Sequence, residues 1–223
     1  MDLKEFMSVR RAYNIVRHMV DSRERLTFEE YAILCRLETA GEPLKTSDIA
    51  EYQGALRPTM THRTNHLATL GYIERIEGAQ DRRNVICAIS EKGVQAAADL
   101  SEQVRLKIPS GRALSRTSSD RIKKYVDTMG SYFCKAGDLV LLGLFASKEG
   151  TLSIMQIVDA LGLLQPTVSM SVSALVDEGL VTRARTTDGS HTTSVTLTPK
   201  GTERALVLAA QISELVVRRK PRV

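Results

Sequence analysis

The sequence predicts a mainly α protein with small β-hairpins, built from two copies of one domain. Three observations predict it. Aromatic residues make up only 4% of the 223 residues and Trp is absent, so the core falls to Leu, Ile, Val, Ala and Met, a balance that leans helical. Identical residues recur at a fixed offset of 108 positions, with no gap. It pairs Leu34 with Leu142, Leu44 with Leu152, Ile49 with Ile157, Gly54 with Gly162, Pro58-Thr59 with Pro166-Thr167, Leu67 with Leu175, Gly71 with Gly179, Arg75 with Arg183, and Lys92-Gly93 with Lys200-Gly201. These are largely the apolar, Gly and Pro positions that specify a backbone. In each copy, finally, the apolar period changes from helical to alternating at the same place.

The elements follow in order. A helix is expected over about 3–19. Thr27 followed by Glu30 has capping-box spacing, and Tyr31, Leu34 and Leu37 continue an apolar helix face until Gly41-Glu42-Pro43 ends it. A short helix carries Ile49 and Ala50, and Gly54 turns the chain. A third helix enters at Pro58, where a missing N–H is no loss. Met60, Thr64 and Leu67 fall on one side of that helix, and Thr61, His62, Asn65 and His66 largely on the other. After Gly71, Tyr72, Ile73 and Ile76 begin a strand, residues 78–81 turn, and Val85 to Ile89 return as its partner. The second copy repeats this order with a capping box at Ser153 and Gln156, a helix entered at Pro166, a hairpin of 180–185 with 192–197, and Thr198-Pro199 opening the final helix.

Helix, helix, helix and a two-stranded hairpin make a winged helix-turn-helix. The fold class expected is therefore tandem winged helix-turn-helix domains, joined and packed through long helices in a pseudo-twofold arrangement. Residues 107–119 hold Pro109, Gly111 and several Ser and Thr, a loop composition. The expected division is 1–106, the first repeat with the N-terminal helix; 107–119, a linker; and 120–223, the second repeat with the C-terminal helix.

Several function classes drop out. No apolar run approaches the roughly 20 residues of a membrane span, and the opening residues lack a secretory h-region, so the expectation is a cytoplasmic protein without a membrane partner. Cys35, Cys87 and Cys134 are odd in number and form no Cys-x-x-Cys pair, which fits neither a disulfide framework nor a zinc site. Gly-rich phosphate loops, His–carboxylate clusters and nucleophile motifs are missing, so no enzyme and no cofactor is expected. The formal net charge of +5 permits a polyanionic partner. The excess lies outside the two copies, because residues 26–93 carry 8 basic and 10 acidic side chains and residues 134–201 carry 5 and 6.

Leu-Gly-Tyr-Ile-Glu-Arg, then Asp81-Arg82-Arg83, an alternating strand and Ser90-Glu91-Lys92-Gly93 resemble the wing of the multiple-antibiotic-resistance regulator (MarR) family over 57–93. Leu26-Thr27-Phe28-Glu29-Glu30-Tyr31 is similar to the second helix of its staphylococcal accessory regulator (SarA-like) branch. The resemblance implies a transcription regulator that binds double-stranded DNA, with the third helix in a major groove and a wing arginine in a minor groove, roles that base-edge readout and groove electrostatics support. On that mapping Thr59, Thr61, His62, Asn65 and His66 face the major groove. Arg57 and Arg63 are flank or phosphate contacts, Arg82 is the wing-tip residue, Asp81 braces it and Arg83 makes a second contact. The resemblance also implies a small-molecule effector in some members and a homodimer, which one chain with two repeats can replace as a single-chain pseudodimer.

The copies are unequal. Residues 57–83 hold five arginines and two histidines, whereas the equivalent second face is Thr167, Ser169, Met170, Ser173 and Ala174, small and neutral. This asymmetry makes the first repeat the expected main reader. Each sharp reading has a plainer rival. Arg82 and Arg83 also fit a solvated hairpin tip, His62 and His66 have the spacing of a metal clasp without further ligands, and Cys35 and Cys87 fit core and strand positions better than a redox sensor. The rival for the whole chain is a tandem winged-helix module that docks another protein through its second repeat, or a ligand- or redox-responsive regulator.

Overall fold

A computed structural model describes residues 1–77, 84–185 and 193–218. Helix α1 runs over Leu3–Met19. The first repeat follows as α2 (Phe28–Ala40), β1 (Leu44–Lys45), α3 (Thr46–Tyr52), α4 (Arg57–Thr69), β2 (Ile73–Glu77), β3 (Val85–Ile89) and α5 (Glu91–Leu106). After α6 (Ser119–Gly130) comes the second: α7 (Ala136–Phe145), β4 (Thr151–Ser153), α8 (Ile154–Leu161), α9 (Gln165–Asp177), β5 (Val181–Arg185), β6 (Thr193–Leu197) and α10 (Pro199–Ser213). Helices dominate, each repeat has one small antiparallel sheet, and the chain forms two compact units.

One unit comprises Val16–Phe133 and Val216–Val223. Its α2 starts as the sequence predicts: Thr27 Oγ1 accepts from Glu30 N at 3.2 Å while Glu30 Oε2 accepts from Thr27 N at 2.7 Å. It ends at Gly41, whose φ of 70° suits a residue without Cβ. Ile33, Leu34, Leu37, Ile49, Met60, Leu67, Ile73 and Cys87 form the continuous core. Helix α6 closes it, packing on α2 and α5 with Ile122, Val126 and Met129 fully buried. The approach depends on small residues, since a Cβ on Gly130 would lie 2.7 Å from the Ala32 Cβ.

The other unit comprises Met1–Ile15 and Cys134–Leu215. Helix α7 carries Leu139 to Leu144 buried on all sides, as a central helix must be. The Ser153–Gln156 capping box opens α8, and Gly162 in the left-handed region ends it. Three side chains of α1 bond backbone carbonyls of this unit: Arg10 that of Cys134 at 3.3 Å, Arg11 that of Asp159 at 2.7 Å and Asn14 that of Leu161 at 2.9 Å. The last two belong to the final turn of α8, where carbonyls lack partners within the helix.

The composition of the units differs from the division expected at 107–119. The first winged helix has α6 against it, and the second has residues 3–15 of α1. A second difference concerns the sheets, expected as two-stranded hairpins. Each gains a short third strand on the inner partner, in the orders β1-β3-β2 and β4-β6-β5. Two- and three-residue strands carry too little alternation to be read from sequence. The register confirms the repeat residue by residue: Leu44 and Arg75 flank Cys87, and Leu152 and Arg183 flank Val195.

Candidate nucleic-acid interface

Helix α4 buries Met60, Thr64 and Leu67, spaced four and three apart, and the Thr64 hydroxyl is satisfied by the Met60 carbonyl at 3.0 Å. This anchors one side of the helix and leaves Arg57, Thr59, Thr61, His62 and Asn65 exposed. No acidic residue lies in its first turn, so the positive end of the helix dipole is not offset there.

Two of the expected site residues, His66 of the major-groove set and Arg63 of the flank or phosphate contacts, bond within the domain instead. His66 is half-buried, and its Nδ1 lies 2.8 Å from Glu30 Oε1. The Glu30 carboxylate is buried and uses its other oxygen in the α2 capping box, so the imidazole satisfies the remaining one. Arg63 donates to Gln53 Oε1 at 2.9 Å, and Gln53 in turn donates to the Glu29 carbonyl at 3.0 Å. Both side chains thus tie α4 to the helices beneath it. Asp81, Arg82 and Arg83 lie outside the described residues, so the expected wing tip has no position here.

The Ser-x-Lys-Gly stretch joins α4 to the wing. Ser90 caps α5 by accepting from Gly93 N at 3.0 Å and donates to the Gly71 carbonyl at 2.7 Å, while Lys92 donates to the Leu70 carbonyl at 2.7 Å. The second repeat does the same with Thr198, Gly179, Lys200 and Glu178. Sequence reading located the matching Lys-Gly pairs but not this latch on the end of the third helix.

Beside the exposed face of α4 lies a cleft of about 380 Å³ between the start of α3, the first turns of α4 and the sheet, lined by Lys45, Thr46, Ser47, Arg57, Thr61 and Arg75, with Asn84 and Val85 at the wing side. Lys45, Ser47 and Arg75 lie outside the site residues that the sequence predicts. Arg75 was visible only as an offset match, and the other two stand at the start of a short helix whose face depends on the fold. Among the described residues none of the three cations forms an ion pair. The Arg75 Nε is buried, and its guanidinium acts on the Cys87 thiol beside it.

The equivalent face of the second repeat differs in kind. Thr167 and Ser169 are half-buried, Ser173 and Ala174 are exposed, and Met155, Leu164 and Met170 are exposed apolar residues. Arg183 donates to the Ser173 hydroxyl at 3.4 Å.

All three cysteines are buried, and none forms a disulfide. Burial, with Asp127 and Glu38 adding to it, pushes the Cys35 thiol well above its usual value. Burial also raises Cys87, against the pull of Thr46 and Arg75. Neither environment favours the reactive thiolate. Among the described residues no group of three His, Cys, Asp or Glu side chains stands ready for a metal. No single helix there is long and apolar enough to cross a membrane; the one pair passing that test together, α8 with α9, bends by 115° as the second helix-turn-helix.

A helix-turn-helix followed by a wing, present twice with the same register, defines a winged-helix protein of the regulator class. Two models of the MarR family match the chain, one over residues 26–85 and the other over residues 138–189, together about half of its length. The chain belongs to the MarR family and is a winged-helix transcriptional regulator with two repeats. A search of curated proteins gives no match.

Proposed function

We propose that the protein is a sequence-specific regulator that reads double-stranded DNA mainly through its first repeat, with α4 in the major groove and Arg82, flanked by Asp81 and Arg83, at a minor groove. The observation that carries this reading is the contrast between equivalent helix faces. Arg57, Thr59, Thr61, His62 and Asn65 are exposed on α4, where α9 has Gln165, Thr167, Ser169, Met170 and Ser173. Donors and cations suit base edges and phosphates, whereas the second set offers neither charge nor a bidentate group beyond one glutamine. His66 and Arg63 are positioning residues in this reading, since their side chains hold α4 in place.

The test is an unbiased selection of duplex sequences by the full chain, followed by affinity measurements on the winner. Asn65→Ala and Arg82→Ala should each cost about 1 to 3 kcal/mol of binding, and the matching wing change Ser190→Ala should leave it unchanged. Equal losses at both wings would end the asymmetric reading. A second reading, docking of another protein on the second repeat, is favoured by exposed Met155, Leu164 and Met170. Selection that enriches no sequence would put it first.

A further inference from the structure

The junction between α5 and α6 carries one sign of charge. Residues 105–124 hold seven basic side chains and one acidic one, whereas residues 26–93 hold 8 and 10. A solvated surface ordinarily mixes the signs, so a run of one sign points to a partner of the other. Two of the seven are neutralised within the fold: Arg105 meets Glu102 at 2.6 Å, and Lys123 meets Asp120 at 3.1 Å and also Glu38. Arg121 is engaged with the chain itself, its guanidinium donating to the Arg218 carbonyl at 3.0 Å and lying 5.1 Å from the Tyr125 ring centroid. Lys107, Arg112, Arg116 and Lys124 remain, and among the described residues none of the four forms an ion pair. Elsewhere the chain turns arginines to internal use, as Arg10, Arg11 and Arg17 do with the carbonyls of Cys134, Asp159 and Leu26.

The fold gathers these cations and adds two apolar side chains to them. Helices α5 and α6 pack together, and the Ser119 hydroxyl bonds the Glu102 carboxylate, one turn before the end of α5. Arg121 in turn holds the backbone of Val217 and Arg218 at the first turn of α6. Leu106, closing α5, is 64% exposed, and Val216, just ahead of those two carbonyls, is 73% exposed. The loop between the helices is held in one shape. Ser115 N donates to the Arg112 carbonyl and Thr117 N to that of Leu114, each at 3.1 Å. Leu114 stands at a φ of 66°, in the left-handed region that a residue with a side chain enters only at a cost.

Cations alone would suit any polyanion, but exposed leucine and valine beside them narrow the choice. A sugar-phosphate backbone gives an aliphatic side chain little to pack on. A lipid surface takes a helix with an outward apolar face, and both helices here turn theirs inward, Ala97 and Val104 on α5 and Ile122, Val126 and Met129 on α6. A peptide with carboxylates and apolar side chains answers both kinds of group. We propose that the α5–α6 junction, with Lys107, Arg112, Arg116 and Lys124 as its cations and Leu106 and Val216 as its apolar anchors, docks an acidic segment of another protein in which aliphatic or aromatic side chains alternate with carboxylates. The fixed loop presents Arg112 and Arg116 without the ordering cost of a mobile one. The six residues share nothing with the exposed face of α4, so docking and DNA reading are separable properties.

The probe is a labelled peptide repeating Glu-Leu-Asp-Phe, titrated with the full chain and compared with a peptide of Glu and Asp alone. The mixed peptide should bind about tenfold more tightly. Arg112→Glu with Arg116→Glu should weaken its binding about tenfold, and Leu106→Ser with Val216→Ser should erase its advantage over the all-acidic peptide. Asn65→Ala, on the reading helix, should leave peptide binding unchanged, and both pairs should keep affinity for a selected duplex within about twofold. Melting curves verify that the variants fold, and Arg112→Gln with Arg116→Gln should weaken binding in the same direction without reversing charge. No binding of the mixed peptide at about 1 mM overturns the proposal, as does binding that both arginine pairs leave intact. Duplex affinity that falls with the arginine pairs as far as peptide affinity does would assign the surface to nucleic acid. Vesicles of equal phosphatidylcholine and phosphatidylserine, bound in preference to the peptide and released by the same variants, would assign it to a lipid surface. Either result overturns the proposal.

Discussion

At Gly93 a Cβ would stand 2.0 Å from the Tyr72 carbonyl oxygen, and at Gly201 one would stand 1.9 Å from that of Leu180. Neither obstacle is a flexible side chain, so the backbone of the wing entry would have to move. The Lys-Gly pair shared by the repeats thus has a steric cause for its glycine and a hydrogen-bonding cause for its lysine, which reaches the last carbonyls of the third helix. Gly93→Ala should destabilise the protein by about 3 kcal/mol or more. Gly137→Ala, whose Cβ would meet Leu175 at an ordinary 3.7 Å, should be close to neutral; chemical denaturation of both variants checks the contrast. At this scale the sequence is only partly legible. Helical periodicity separates Met60, Thr64 and Leu67 from Thr61, His62 and Asn65 correctly. It cannot place His66, because that residue's direction is decided by Glu30, 36 positions away.

Helices α2 and α6 meet through small residues and one costly carboxylate. Asp127 is 6% exposed, its Oδ1 has no hydrogen-bond partner among the described residues, and Arg36 stands 3.8 Å from its Oδ2. Burial raises its pKa, and the Arg36 charge offsets this only in part. The sign follows from linkage: an acid whose folded pKa is raised binds protons more readily folded than unfolded. Its contribution is present below the usual aspartate range and lost as pH rises through the raised value. Asp127→Asn should therefore be neutral or stabilising at pH 7, an advantage that disappears on acidification below the ordinary value of 3.8. Arg36 keeps a second support, its guanidinium lying 4.2 Å from the Tyr52 ring centroid. Melting curves of both proteins across pH test this, and a variant less stable than wild type at pH 7 would show that the ion pair outweighs the burial cost. The helices themselves are well read from sequence, since caps at Thr27, Ser153 and Thr198 are local signals. The tertiary reason for Gly130 is not local, and nothing in its neighbourhood announces Ala32.

Across the whole molecule, each winged helix is completed by a helix lying outside the stretch that the 108-residue offset makes visible. The repeat is legible because identical backbones need identical Gly, Pro and apolar positions. The allocation of α1 and α6 is not, since amphipathic helices show that they need a partner without naming it. That allocation makes a concrete prediction about cutting the chain within 107–119. A fragment of 1–112 holds the first winged helix but lacks α6, and with it Ile122, Val126 and Met129, all 0% exposed. Burial of such side chains contributes about 1.5 to 3 kcal/mol each, so their loss approaches the entire stability of about 5 to 15 kcal/mol typical of a domain. A fragment of 113–223 lacks α1, leaving the Asp159 and Leu161 carbonyls without Arg11 and Asn14. Each fragment alone should give a broad, low-temperature melt, and mixing or co-expressing them should restore a cooperative one. Two fragments that each melt cooperatively alone would instead show that every repeat folds on its own and that the borrowed helices are accessory.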